Sequence, residues 1–429
     1  ILAQACVAQN DCSATSPQRR IPMGSSHPRA GHVGAEGEAP EVHKLHKAVA
    51  HMARSMGRYG GVLLQAAAAW DGNVFFAGAA GNLTYGSQTS EISAADSFEV
   101  ASITKMVTAT VVMQLVDEGR VQLDEVWRSV AGGKLEAKVK AHVPTWPSER
   151  FGDFTVAELL QHTSGLPNYW DDDSDFIKAF EADPDRLWTT WELLSYAAEM
   201  KSSCSPQQRG RPDAFSYADT NYLLLGLMVE QLDQETLPKI FRRRVFDPAG
   251  MSRKDTYCEF LEERPAGAAP LASRYLGKLQ ITGKKQHSAD SFAAGGIVST
   301  AGDLEKFMKA LASGKLFPIN GHATLQKMMT WIPAKRGTGW WYGLGLMRID
   351  LEDQVGLLSR FWGAKPVGYV WGHEGFGGAF AWFWSSGEVE RDLIITGTTN
   401  NEGRAYGDLV MTAVQQTRKL IPYPVSITS

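Results

Sequence analysis

Four cysteines in 429 residues are too few to staple a fold together, and no CxxC pair suggests a zinc site. No apolar run approaches the roughly 18 residues of a membrane span. No block of lysine and arginine offers a face for phosphates, and a net charge of -4 adds to the case against a nucleic-acid partner. A phosphate-binding glycine loop, a G-x-S-x-G elbow and an H-E-x-x-H helix are all missing. Their absence removes nucleotide chemistry, the α/β-hydrolase route and zincin chemistry. His43 and His46 share a helix face, but two histidines without further ligands read as a solvated face. The expectation is a chain without metal or cofactor.

Hydrophobic residues at 44% and charged residues at 21% are ordinary globular proportions, so a sizeable core can be buried. The length suggests two or three structural units. Cys6 with Cys12, and Cys204 with Cys258, are conceivable disulfides, with free thiols an equal alternative. The small residues Ala3 and Ala5 of "ILAQAC" resemble the approach to a signal-peptide cleavage site, and Asn82-Leu83-Thr84 is a glycosylation sequon. Together they point to a secreted or periplasmic protein, with the cytoplasm as the alternative.

Residues 1–40 are rich in Gly, Ser, Pro, Ala and Gln without periodicity and read as a tail. Val42, Leu45, Val49, Met52 and Met56 recur at helical spacing. "GGVLLQAAAAWDGNVFFAGAAG" places two apolar runs around Asp71-Gly72, a hairpin signal. From about 120 to 290 the pattern turns helical. "TVAELLQHTSGLP" opens with a capping box, Thr155 to Glu158, and is expected to stop at Gly165. Residues 220–232 form a second apolar helix, and Leu304, Phe307, Met308 and Leu311 share the face of a third. Short β-rich runs return late, as "VGYVWG", "AFAWFW" and "RDLIITGTTN", before a closing helix at 405–420. The fold class is α+β. An antiparallel sheet flanked by helices is assembled from 41–120 and 290–429, with an all-helical subdomain at 121–289 inserted.

"FEVASITK" runs on into "MVTATVVMQLVDEG", a stretch apolar on nearly every side and therefore a buried helix closed at Gly119. Ser102 and Lys105 lie three apart at its start and share a face. An unpaired ammonium is costly to bury. Desolvation favours the neutral amine, and an amine beside a hydroxyl is a base for activating it.

This Ser-x-x-Lys is followed by "FSYADTNYLLLG", with Tyr217-Ala218-Asp219, and by "VWGHEGFGGAFAW", with His373-Glu374-Gly375. With "LLQHTSGLP", "FDPAGMSRKDTY" and "AAGGIVSTAGDLEKF" in the same order, residues 42–420 resemble the serine β-lactamase-like and penicillin-binding hydrolases. That family includes class C β-lactamases, D,D-peptidases and esterases. The resemblance implies a nucleophile at Ser102, with proton transfer by Lys105 and Tyr217. It also implies an oxyanion hole from the backbone N–H groups of Ser102 and Phe376, and a substrate edge at Asp219, His373 and Gly375. Tyr169 and Trp170, after the "HTSGLP" loop, are expected as an aromatic rim at the cleft mouth.

Two positions depart from the family. Asp219 stands where an asparagine amide is usual, which removes a donor to a substrate amide. Its carboxylate beside Lys105 favours the ammonium and moves the basic role to Tyr217. His373 replaces the lysine of K-T-G, a cation that would hold a β-lactam carboxylate. The expected activity is a carboxylesterase or transesterase on a small-molecule ester. A D,D-peptidase or D-amino-acid amidase comes second and a β-lactamase third. A non-catalytic scaffold is the alternative outside enzymology, and the intact Ser102, Lys105 and Tyr217 speak against it.

Overall fold

The computed structural model describes residues 39–420, apart from 58, 71–72, 84–90, 152, 173, 206–207, 336, 352–367, 386–391 and 403–406. Ala3, Ala5, Cys6, Cys12, the Asp71-Gly72 turn and Thr84 of the sequon therefore lie outside the described residues.

Eight strands form one antiparallel sheet. In chain order they are β1 (Gly61–Ala68), β2 (Val74–Gly81), β3 (Ile332–Lys335), β4 (Trp340–Tyr342), β5 (Met347–Asp350), β6 (Tyr369–Gly375), β7 (Ala379–Ser385) and β8 (Leu393–Thr398). Their spatial order is β2-β1-β8-β7-β6-β5-β4-β3, so the N-terminal hairpin pairs through β1 with the last long strand. Every residue of β1 is buried, because the sheet is covered on both faces and alternate side chains enter different cores. Val62, Leu64 and Ala66 meet α1 (Pro40–Met56), whose Leu45, Val49, Ala53 and Met56 face the sheet as their spacing predicts. Leu63 points the other way, into the cluster that holds the remaining helices. Trp382 and Trp384 of β7 fill the α1 side and are core.

The apolar helix α2 (Thr104–Asp117) is buried from Thr104 through Leu115 and ends before Gly119, whose φ is +70°. It lies beside α3 (Asp219–Asp233), which begins one residue before the expected 220. A fourth helix, α4 (Ala301–Ala312), starts on the Thr300 hydroxyl, and α5 (Gly407–Thr417) packs with α1. The Thr155–Glu158 capping box is present, worth about 1 kcal/mol as such caps go. Its helix stops at Leu160, however, short of Gly165. His162 takes φ +58° and turns the chain earlier. Cys204 and Cys258 are free thiols, so the disulfide between them is not formed. Among the described residues no helix is long and apolar enough to cross a membrane.

Candidate active site

The turn before α2 is strained. Ala101 carries φ +47°, a conformation that costs a non-glycine residue about 1–3 kcal/mol and persists where the surroundings enforce it. Here the enforcing neighbours are strands. Ser97–Glu99 pairs with Ile297–Thr300, and the Val100 N–H donates to the Ile297 carbonyl at 2.9 Å. From the other side comes the end of β6. A Cβ on Gly375 would lie 2.2 Å from the Val100 carbonyl oxygen, so glycine alone lets β6 abut this turn. Ser102 is thus presented on a single 3-10 turn, Ala101–Ile103, at the mouth of α2.

Lys105 is fully buried, and its ammonium meets three acceptors. Nζ donates to Ser102 Oγ at 3.0 Å and to the Ala294 carbonyl at 2.8 Å, and it forms an ion pair with Asp219 Oδ1 at 2.7 Å. Two hydrogen bonds and an ion pair thus surround the buried nitrogen. The neutral, desolvated amine expected from burial alone is therefore replaced by a paired ammonium. The carbonyl of Ala294 is held in place by α2 itself. Thr108 Oγ1 donates to the Ala293 carbonyl at 2.7 Å, and Thr104 Oγ1 accepts from the Ile297 N–H at 3.2 Å. Asp219 is the first residue of α3, where the helix dipole favours a carboxylate. The Lys105 ammonium also lies 5.0 Å from the centre of the Tyr217 ring. Ser102, Lys105, Tyr217 and Asp219 are brought together from two separate helices and the turn before the second.

His373 is placed behind this group. Its Nε2 faces the Tyr342 hydroxyl at 3.2 Å, and its Nδ1 faces the Glu374 carbonyl at 2.5 Å. Nδ1 donates to the carbonyl, so Nε2 accepts from the phenol, and the ring has no nitrogen left for a substrate. Burial, with Lys105 second, presses its pKa down to about 3. Phe376 sits at the turn after β6 with its ring 5.3 Å from the Arg274 guanidinium, which in turn pairs with Glu99 at 2.8 Å. Tyr169 and Trp170 do not form a rim. Tyr169 is fully buried and its hydroxyl donates to the Ala289 carbonyl at 3.0 Å. Trp170 packs edge-on against Phe176 at 4.8 Å. Both belong to the core of the helical region, since an aromatic-rich loop between helices has more surface to bury than to expose.

With this geometry in hand, comparison with known proteins decides the family. A family model described as beta-lactamase matches residues 48–416. The chain belongs to the β-lactamase family. It has the fold of the β-lactamase and transpeptidase group, and it spans about half the length of the curated relatives it matches. It is similar to the D-amino acid amidase from Ochrobactrum anthropi SV3, at 21% identity and TM-score 0.66 over 88% of this chain and 99% of that one. It is also similar to EstCE1, described as a hydrolase with promiscuous acyltransferase activity, at 17% identity and TM-score 0.62 over 88% and 98%. In sequence it is 26% identical over 249 residues to the putative penicillin-binding protein PbpX of Bacillus subtilis. That alignment spans 58% of this chain and 53% of PbpX.

Two parts of this β-lactamase-family site escaped the residue-by-residue reading. Ala294 acts through its carbonyl, which no side-chain motif reveals, although it lies in the quoted "AAGGIVST". His162 lies in the quoted "HTSGLP" and packs on Tyr217, a contact that only the folded loop creates.

Proposed function

We propose that this chain is a carboxylesterase or transesterase that works through an acyl-enzyme on Ser102. The observation that carries this reading is the ion pair of the buried Lys105 with Asp219. A lysine kept as the ammonium by the Asp219 carboxylate does not accept the serine proton, but it holds Ser102 Oγ and places positive charge beside Tyr217. An ammonium next to a phenol favours the phenolate. Tyr217 is then the base that takes the Ser102 proton as Oγ bonds to the carbonyl carbon. It returns that proton to the departing alcohol as the ester bond breaks. Water or a second alcohol repeats the cycle in reverse and releases the acyl group. The oxyanion is stabilised by the backbone N–H groups of Ser102 and Phe376, held against each other by the Gly375 contact.

Esters are favoured over amides because Asp219 presents a carboxylate, an acceptor paired with Lys105, where relatives offer a donor. Its carboxylate is committed to Lys105, leaving no amide N–H to hold a substrate carbonyl. A D-amino-acid amidase is the second reading, resting on the likeness in fold to the Ochrobactrum anthropi amidase. The decisive measurement is turnover of a short-chain nitrophenyl ester and of D-phenylalanine amide by wild type, Ser102→Ala and Asp219→Asn. Ester hydrolysis lost in Ser102→Ala, with an ester-to-amide ratio that falls in Asp219→Asn, is the expected result. Unchanged turnover in Ser102→Ala would remove the nucleophile, and wild-type preference for the amide would reverse the ranking.

A further inference from the structure

His162 has no part in the acyl-transfer scheme, yet the fold tolerates two penalties to keep it. Its backbone adopts φ +58°, which glycine or asparagine would occupy at lower cost. Its side chain is fully buried with Nε2 lacking a hydrogen-bond partner among the described residues, a penalty an apolar ring would avoid. What neither replacement supplies is a flat ring with an acceptor at Nδ1, and the neighbours use both.

The tautomer follows from the hydrogen bonds around it. Ser164 Oγ donates to Asn221 Oδ1 at 2.6 Å, which turns the Asn221 amide nitrogen toward His162. That nitrogen meets Nδ1 at 3.0 Å, and the Ala218 N–H donates to the same Nδ1 at 3.1 Å. Two donors converge on Nδ1, so the proton resides on Nε2. The ring then lies 4.3 Å from the Tyr217 ring, tilted by 32°, with Tyr222 at 5.2 Å and Tyr342 at 4.9 Å closing the box. Lys105 and His373 are the charged or chargeable groups that face it beside these tyrosines. Burial, then Lys105 and His373, hold the imidazole neutral well below its ordinary range.

We propose that His162 is a positioning residue for acyl transfer: its neutral ring, locked as the Nε2–H tautomer and tied to the backbone next to Tyr217, is the plate that sets the phenol relative to Lys105 and Ser102. The inference rests on Tyr217 being the group that moves the serine proton. A cation at this position would repel Lys105, and a flexible side chain would leave the Tyr217 ring free to tilt away from it.

The test compares wild type, His162→Asn, His162→Phe, Tyr217→Phe and Ser102→Ala on a nitrophenyl ester. It reads kcat, KM, the kcat–pH profile and Tm, with kcat normalised to the acylatable serine counted by burst titration. Asparagine suits the positive φ, so His162→Asn is expected to keep Tm. Its kcat falls roughly ten- to a hundredfold while KM barely moves, the scale at which misplacing a reacting group acts. The acid limb of its kcat–pH profile shifts upward, because Tyr217 is less well placed beside Lys105. His162→Phe restores the plate and recovers part of kcat even if Tm drops. Wild-type kcat and pH profile in His162→Asn would overturn the proposal. So would an activity loss in both variants that follows Tm alone. Full activity in Tyr217→Phe would instead sink the Tyr217 reading and with it the need for a plate.

Discussion

The parallel pair α2 and α3 is closed at both ends by buried charge, and the two closures are built differently. At the N-terminal end Lys105 and Asp219 meet beside Ser102. At the C-terminal end Arg244 binds Asp233 and Glu118 from two sides. Nε and Nη2 grip the two oxygens of Asp233, at 2.5 Å and 2.8 Å, while Nη1 reaches Glu118 at 2.6 Å. Burial works against the Asp233 carboxylate, yet hydrogen bonds from Arg244 and Arg120 hold its pKa far below the usual range. The arginine spends its planar fork on carboxylates and is finished. The lysine spends one of its three donors on a hydroxyl. Arginine locks a shape, whereas lysine positions a charge next to something that reacts.

Exchanging the cations should separate the two roles. Lys105→Ala is expected to lower kcat/KM for an ester by about a thousandfold or more, because the serine oxygen and the tyrosine lose their shared cation. Lys105→Arg should not rescue it, since a planar fork cannot serve three diverging acceptors. Retention of a tenth of wild-type activity in either variant would contradict the comparison. Steady-state kinetics on the folded variants decides it.

At the other end the effect is on stability. Arg244→Met takes from Asp233 and Glu118 their most buried cation and leaves the more exposed Arg120 and Arg243 as partners, so the expected cost is about 1–3 kcal/mol. Urea denaturation should show that loss with kcat of the folded fraction unchanged. Adding Asp233→Asn and Glu118→Gln should recover part of it, because the carboxylates that Arg244 neutralised are then gone. A variant that loses activity without losing stability would mean that the far closure reaches the site.

Acid sharpens the contrast at smaller amplitude. Unfolded histidines titrate near pH 6.5, whereas His373 is held at about 3 and His162 is also held down. The native state therefore binds fewer protons than the unfolded chain between these values. Stability from the site end is full above pH 6.5 and is lost as pH falls toward 3, at up to about 1.4 kcal/mol per pH unit for each histidine. Asp233 is depressed from the ordinary carboxylate range, so its contribution begins to fade only below about pH 4. Denaturation between pH 6.5 and 4 should flatten in His373→Gln and keep its slope in Asp233→Asn. The reverse result would assign acid sensitivity to the wrong end.

Much of this molecule is legible in its residues. α1 and the closing helix follow from apolar spacing along one face, and β1, α2 and α3 from apolar runs that are buried all round. Lys105 beside Ser102 follows from the three-residue step, and Asp219 beside Lys105 from the resemblance. What escapes is whatever depends on which surface meets which. His373 sits on a strand, but periodicity does not tell that Tyr342 occupies its free nitrogen. Tyr169 and Trp170 follow a loop motif, and a loop motif does not tell whether the next turn folds inward. The helix opened by Thr155 ends early where His162 turns the chain at φ +58°, which apolar spacing does not announce.

The tight approach of Gly375 to Val100 has a consequence for how the protein comes into being. The turn that presents Ser102 precedes the strand that braces it by the whole helical region. Contacts this distant along the chain are slow to form, since a long loop must close before they gain anything. The Ser102 turn is therefore braced late in folding, once the strand that ends at Gly375 is seated.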